Sequence, residues 1–226
     1  PLAVSQWALT SIQLQQAWNK LSIKTDRVVV AVIDSGIDLN HSEFAGKIVS
    51  GYDFVTDTGL PQDTNGHGTH VSGIIAAQSN RIGMAGVAPN VFIMPLKIIA
   101  QDGKGSVSNL LKAIRYAIDN GAHVINISAA FYDTGAHQAE YLSILTSYVN
   151  YAASKGVLIV ASQGNRALAD GEMVFPAQVP GVLSVGATEE SGNRLVAERS
   201  RSDQPLIYAP GKNILSARCS FRDSGG

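Results

Sequence analysis

The sequence predicts an α/β protein with three layers, in which a mostly parallel central sheet lies between helices on both faces. Continuous apolar runs of strand length recur along the chain, and amphipathic runs with helical spacing separate most of them. Apolar strands covered by helices are typical of parallel sheets. The strands are predicted at residues 28–34, 91–99, 123–128, 157–162 and 182–187, and the helices at residues 68–78, 107–120 and 140–155.

Three polar residues lie at the carboxyl ends of predicted strands, namely Asp34, Ser128 and Ser162. Ligands of open parallel sheets bind beyond these ends, so the pattern directs several polar groups toward one cleft. No internal repeat and no linker-like stretch divides the chain. Residues 1–226 are therefore expected to form a single domain.

The composition excludes several classes of partner. The 226 residues are 45% hydrophobic and carry a formal net charge of −1, without a basic run. We therefore expect no nucleic acid as a partner. No apolar stretch has the length of a membrane span, so none is expected. Cys219 is the single cysteine, which excludes a disulfide within the chain.

Two motifs carry chemistry, Asp34 at the end of the apolar run 28–34 and His67 within the glycine-rich stretch 65–73. A carboxylate that orients and an imidazole that moves a proton are two members of a serine-protease triad. The order Asp before His is that of the subtilisin class. The alternatives are a buried turn aspartate and a core histidine. A zinc site with His70 would need the glutamate that follows the first histidine in such motifs, and the sequence has none there.

These two motifs resemble those of the subtilisin-like serine proteases, the subtilases, and the resemblance runs from about Gln6 to about Gly211. It implies a serine endopeptidase with Asp34 as the orienting carboxylate and His67 as the general base. Residues 159–165 are similar to the family's oxyanion loop, which makes Asn165 the implied oxyanion donor. An asparagine after glycine is otherwise an ordinary turn residue.

The family's nucleophile lies in a Gly-Thr-Ser-x-Ala segment, and the 226 residues contain none. The four residues 223–226, which include Ser224, resemble the nucleophile loop of the unrelated chymotrypsin class. We interpret this resemblance as coincidence. The first interpretation is a peptidase domain truncated before the nucleophile, inactive as this chain alone. The second is an inactive pseudoprotease that acts as a peptide-binding module. The third is complementation by a separate C-terminal segment.

The resemblance implies an extended polypeptide substrate that pairs with two exposed backbone segments. Phe131 and Gln163 stand where the family has small residues, so they are expected to narrow the specificity pocket, unless Phe131 points outward. A pro-segment and a secreted or cell-envelope location are also implied. The residues assigned to the substrate are Gly103, Lys104, Gly105, Ser128, Ala129, Ala130, Phe131 and Gly164.

A calcium site is implied by the loop over residues 78–89, which looks like the family's calcium loop. Oxygen ligands alone suit a hard cation such as calcium. The alternative is a plain loop that contains an asparagine. The resemblance also implies a cis peptide bond between Phe175 and Pro176. The implied calcium ligands are Glu43, Gln78, Asn80, Ile82 and Met84.

Overall fold

A computed structural model describes residues 6–20, 27–80, 83–195 and 206–220. The chain divides into two compact units, one formed by residues 1–122 with 214–226 and the other by residues 123–213. Each unit contains its own parallel strands. The expectation of a single domain stays a prediction.

The first unit is built on three parallel strands in the order β2-β3-β1. A short 3-10 helix, Ser42–Phe44, precedes β2. The other elements, in chain order, are α1 (Trp7–Ser11), α2 (Leu14–Lys20), β1 (Val29–Asp34), β2 (Tyr52–Asp53), α3 (His67–Ala76), β3 (Phe92–Lys97) and α4 (Val107–Asp119).

Strand β1 and helix α4 supply much of the core of the first unit. All six residues of β1 are buried, which requires cover on both faces. Helix α4 contributes an apolar face and packs against β1 and β3, and Ser106 caps its start by accepting a hydrogen bond from Asn109 N. In the β1–β3 pairing Asp34 is opposite Lys97, so both charged residues lie at the carboxyl ends of their strands.

The second unit has four parallel strands in the order β4-β6-β8-β9 and a separate antiparallel pair, β5 with β7. Cross-strand contact holds the pair together, with Tyr132 opposite Val174. The Phe175–Pro176 peptide bond is cis, as predicted. The elements are β4 (Val124–Ile127), β5 (Phe131–Asp133), α5 (Gln138–Ser154), β6 (Leu158–Ser162), β7 (Met173–Phe175), β8 (Leu183–Thr188) and β9 (Leu206–Pro210).

The predicted fold class, a mostly parallel sheet with helices, is confirmed. Each predicted strand and helix is present with its ends shifted by at most two residues. Helices α1 and α2 and strands β2, β5, β7 and β9 were not predicted, since most of them are too short to show a period. Among the helices that the structure describes, none combines the length and apolar character needed to cross a membrane.

Candidate active site

The side chains of Asp34 and His67 form a hydrogen-bonded pair in the first unit. Asp34 ends β1 and is fully buried, whereas His67 begins α3 with a side chain that is 51% exposed. The imidazole Nδ1 lies 2.8 Å from Oδ1 and 2.9 Å from Oδ2 of the carboxylate. A carboxylate only accepts hydrogen bonds, so Nδ1 carries the proton and donates. In the neutral imidazole, Nε2 is then free to act as a base.

This contact favours the protonated form of the His67 imidazole. The hydrogen bond to Asp34 is the largest cause that raises the pKa of His67 above its ordinary value of 6.5. Burial opposes the shift, and the charges on Asp34 and Asp63 reinforce it. The carboxylate therefore stabilises the imidazolium, which is the form that the ring takes after it accepts a proton.

Glycine is required where α3 approaches the turn after β1. A Cβ on Gly68 would lie 2.2 Å from the carbonyl oxygen of Gly36 and 3.2 Å from Cβ of Asp34. Gly36 has a φ of +101°, in the left-handed region that glycine adopts without strain. The glycines that flank the two motifs thus allow the strand end and the helix start to meet.

Asp63 organises the start of α3, and sequence reasoning missed it. Its buried carboxylate accepts hydrogen bonds at Oδ1 from the backbone N–H groups of Asn65 (2.9 Å) and Gly66 (2.8 Å) and from the Ser35 hydroxyl (2.9 Å). Oδ2 accepts from Thr69 N at 2.9 Å and Thr69 Oγ1 at 2.5 Å. Burial raises the pKa of Asp63, but these hydrogen bonds outweigh it and hold the pKa below its ordinary value. An aspartate four residues before His67, at a helix start, was the available signal.

Two further side chains fix the loop that leads to His67. The Ser35 hydroxyl accepts a hydrogen bond from Gly68 N at 2.9 Å while it donates to Asp63. The buried Lys97 ammonium donates to the carbonyl of Gln62 at 2.7 Å and to the Thr64 hydroxyl at 2.9 Å. The loop is therefore held both at its helix end and in its middle.

Asp38 makes one contact within its own turn and one with a distant segment of the chain. Its Oδ1 accepts from Asn40 N at 3.1 Å, and its Oδ2 accepts from Ser220 N at 2.9 Å and Ser220 Oγ at 2.6 Å. Burial raises the pKa of Asp38, and the hydrogen bonds from Ser220 and Asn40 outweigh it, so the pKa is lowered. The segment that contains Ser220 is thereby fastened to the turn after β1.

The side chain of His70 makes a hydrogen bond of its own. Its Nε2 lies 3.1 Å from the carbonyl oxygen of Ile214, so this nitrogen is used in a hydrogen bond. Within residues 6–20, 27–80, 83–195 and 206–220, no group of three or more His, Cys, Asp or Glu side chains could hold a metal ion.

The predicted oxyanion loop follows β6 in the second unit. Gly164 turns the chain with a φ of +87°, and Asn165 is exposed. The backbone N–H of Asn165 donates to the hydroxyl of Tyr132 at 3.2 Å. An exposed amide after a strand end is placed where a ligand can reach it. The catalytic role of Asn165 stays a prediction.

The two residues expected to narrow the specificity pocket have other contacts. The Phe131 ring stacks on Phe175 and meets Tyr141 edge-on, with both pairs of centroids 5.3 Å apart. The backbone N–H of Gln163 donates to the carbonyl of Val185 on the neighbouring strand, at 2.9 Å. Phe131 is thus part of an aromatic cluster, and the effect of either side chain on a pocket stays a prediction.

The segments assigned to the substrate differ in local structure. Residues 103–105 form an exposed turn in the first unit, in which Ala100 N donates to the carbonyl of Lys104 at 2.8 Å and Gly103 has a φ of +80°. Residues 128–130 connect β4 to β5 in the second unit and are half-buried, with the Ser128 hydroxyl accepting from Asn126 Nδ2 at 2.9 Å. The pairing of either segment with a peptide stays a prediction.

The implied calcium ligands are only partly described, because Ile82 lies outside the described residues. Glu43 is buried, and its Oε2 accepts from Gln78 N at 3.1 Å. A Cβ on Gly83 would lie 2.1 Å from Oε1 of Glu43, so a side chain at this position would displace the carboxylate. The loop and Glu43 are therefore in contact, and the binding of calcium by these residues stays a prediction.

Comparisons with known proteins place the chain in a family. The model of the subtilase family, a peptidase family, matches residues 25–225. A thermophilic serine proteinase of Bacillus sp. (strain AK1) is 39% identical over 188 residues, which cover 83% of this chain and 44% of that protein. The minor extracellular protease Epr of Bacillus subtilis (strain 168) is 38% identical over 212 residues, 93% of this chain and 31% of that protein.

A solved structure agrees with these relatives. The crystal structure of a cold-adapted subtilisin-like serine proteinase matches with a TM-score of 0.69 and 35% identity, covering 84% of this chain and 65% of that one. The chain belongs to the subtilase family of serine peptidases, and its fold is subtilisin-like. It spans less than half the length of the two curated relatives described above.

Proposed function

We propose that the chain is the part of a serine endopeptidase that supplies the general base and the oxyanion donor for peptide-bond hydrolysis. The observation that carries the proposal is the Asp34–His67 pair, in which a buried carboxylate holds Nδ1 at 2.8 Å and 2.9 Å. The membership in the subtilase family supports the same reaction.

The proposed reaction is acyl transfer through a serine outside the 226 residues. His67 Nε2 takes the serine hydroxyl proton as the oxygen attacks the peptide carbonyl, and Asn165 donates a hydrogen bond to the oxyanion. His67 then gives the proton to the leaving amine, and water releases the acyl group by the same steps. Asp34 accepts the hydrogen bond from Nδ1 throughout and stabilises the imidazolium.

The test is covalent labelling of the full-length protein with a fluorophosphonate, which reacts with an activated serine. We expect labelling in the wild type and its loss in a His67→Ala variant, because the general base is gone. His137→Ala is the matched control, since its imidazole is exposed on the surface next to Glu140. Labelling that survives in His67→Ala would contradict the proposal.

The inactive peptide-binding module is the second candidate, and it would bind a peptide through the exposed residues 103–105 and the half-buried residues 128–130. It predicts peptide binding by the full-length protein without labelling and without cleavage. Titration with a peptide containing a non-cleavable bond, beside the labelling assay, separates the two functions.

The proposed substrate is a polypeptide in extended conformation. Such a strand would add its backbone hydrogen bonds to residues 103–105 and 128–130. The other proposed binding partner is a pro-segment or a complementing C-terminal segment, which would belong either to the same protein or to a separate chain. We also propose a secreted or cell-envelope location, because one relative is named an extracellular protease. Protease activity found only in the lysate of washed cells, and not in the medium or on the cell surface, would contradict this location.

A structural calcium ion is part of the proposal. The ion would be held by the buried carboxylate of Glu43 and by oxygens of Gln78, Asn80, Ile82 and Met84. It would thereby connect the loop over residues 78–89 to Glu43. We expect calcium to raise the melting temperature of the full-length protein over that in a chelator, since binding to the native state alone stabilises it. Glu43→Gln should remove this increase, whereas Glu140→Gln on α5 should keep it.

A further inference from the structure

The backbone around Asn165 is held by groups that the proposed reaction does not use. Asn165 itself is exposed and follows a glycine in the left-handed region, so few constraints come from its immediate neighbours in the chain. Its backbone N–H donates to the Tyr132 hydroxyl at 3.2 Å. This bond connects residue 165 to a residue 33 positions earlier.

Tyr132 is itself well anchored. It is the middle residue of β5 and pairs with Val174 of β7. The preceding residue, Phe131, packs against Tyr141 and Phe175 in the aromatic cluster. The hydroxyl of Tyr132 thus has a defined position from which it can fix a neighbouring loop.

The loop fits closely around this hydroxyl. A Cβ on Gly164 would lie 2.2 Å from the Tyr132 hydroxyl oxygen, so a side chain at residue 164 would push this hydroxyl away from its present position. The residue after Asn165 covers the other side of Tyr132, because the Arg166 guanidinium lies 3.9 Å from the centre of the Tyr132 ring. Residues 164–166 therefore surround one side chain.

Arg166 is held in turn by Glu172. Its two terminal nitrogens donate to the two carboxylate oxygens at 2.7 Å and 2.6 Å, and Glu172 also accepts from Ala169 N at 3.0 Å. The Glu172 side chain is only 4% exposed. A bidentate arginine pair fixes orientation as well as distance. Both ends of the loop after β6 are thus connected to the β5–β7 pair.

We propose that Tyr132 is a positioning residue for Asn165, and that its hydroxyl and ring aim the Asn165 amide at the oxyanion. The inference rests on the proposed function, because it requires Asn165 to act as an oxyanion donor. Since β5 directly follows the segment assigned to the substrate, the same tyrosine links the peptide-binding wall to the oxyanion loop.

The test is a double-mutant cycle on the full-length protein with a peptide substrate. We expect Tyr132→Phe, which keeps the ring and removes the hydroxyl, to lower kcat about five- to tenfold and to change KM less than about twofold. In an Asn165→Ala background the same substitution should change kcat less than about twofold, because there is no amide left to aim. Tyr148→Phe on α5 is the matched control and should leave kcat unchanged.

Three outcomes would count against the inference. A wild-type kcat for Tyr132→Phe beside a slow Asn165→Ala would overturn it alone and leave the proposed function intact. An equal loss in both backgrounds would also overturn it alone, since Tyr132 would then act independently of Asn165. A wild-type kcat for Asn165→Ala would overturn the role of Asn165 in the proposed function and the inference with it.

Amide hydrogen exchange gives a second measurement that does not depend on turnover. The Asn165 N–H should exchange faster in Tyr132→Phe than in the wild type, while amides within β8 should be unaffected. An unchanged exchange rate at Asn165 would overturn the inference. A cooperative thermal transition for each variant shows that the comparison is made on folded protein.

Discussion

The two halves of the proposed site are built in opposite ways. In the first unit, Asp34 is fully buried, and the loop before His67 is fixed by Asp63 and Lys97, which are also buried. In the second unit, Asn165 is exposed, and its backbone is held by one tyrosine hydroxyl beside a partly exposed ion pair. The proposed base is supported from the core, and the proposed oxyanion donor from the surface.

The difference agrees with what the proposed function requires of each half. The orienting carboxylate must hold one imidazole tautomer, which a buried, hydrogen-bonded site provides. An oxyanion donor must remain open until the substrate arrives, so its support has to come from the backbone behind it. We therefore expect the loss of the carboxylate that orients the base, in the first unit, to have a larger effect than the loss of the proposed oxyanion donor in the second.

The largest expected effect is that of Asp34→Asn. An amide at this position can donate to Nδ1, which favours the tautomer with the proton on Nε2, so the base is lost. We expect kcat for a peptide substrate to fall roughly 10⁴-fold. Asp119→Asn is the matched control, because that carboxylate is partly exposed in an i,i+4 pair with Arg115. A loss below tenfold for Asp34→Asn would place the base elsewhere.

Asn165→Ala should have the next largest effect. Removal of one oxyanion donor costs about 10²–10³-fold in kcat, a range taken from subtilisin itself rather than derived for this chain. KM should change little, since the bond strengthens only as charge develops. Steady-state kinetics on the full-length protein measure both constants, and Asn150→Ala on α5 provides the control. A change confined to KM would instead assign Asn165 to substrate binding.

Asp63→Asn tests whether the base half depends on its buried support. An amide nitrogen in place of one carboxylate oxygen would face a backbone N–H or a hydroxyl, so we expect a loss of about 1–3 kcal/mol in the free energy of unfolding. Chemical denaturation measures it, with Asp119→Asn as a control expected to lose at most about 0.5 kcal/mol. Equal losses in the two variants would show that Asp63 adds no special support.

The sequence predicted the elements that show a clear period and missed those that do not. Strand β1 and helix α4 are long enough for burial to leave a pattern of apolar residues, and both are present. Strands β5 and β7 have three residues each, and neither periodicity nor composition marks them. Their pairing depends on residues that are about forty positions apart.

The candidate site divides in the same way. Asp34 and His67 were predicted because each lies in a motif whose residues are adjacent in the chain. Asp63 was missed because an aspartate before a glycine-rich loop resembles an ordinary turn residue, and its five hydrogen bonds exist only after folding. Tyr132 was missed because its partner Asn165 is 33 residues away.

The smallest expected effect is on the pH dependence of kcat/KM, and we compare this dependence between variants of Asp34 and Asp63. Because the folded pKa of His67 is raised above 6.5, chiefly by its hydrogen bond to Asp34, the imidazole is neutral and able to act as a base only above that raised value. We expect kcat/KM to rise with pH through an acidic limb that lies above pH 6.5. The stability contributed by this ionisation is fully present below the unfolded pKa and is lost as pH rises through the folded one.

Substitution should move the acidic limb toward lower pH, and by more in Asp34→Asn than in Asp63→Asn. The hydrogen bond and the adjacent charge are both lost in the first variant, whereas the second loses only the weakest of the contributions that raise the pKa of His67. Rates across the acidic range, supported by titration of the His67 ring protons by NMR, measure the shift. A larger shift in Asp63→Asn would mean that the long-range charge, rather than the direct hydrogen bond, controls the base.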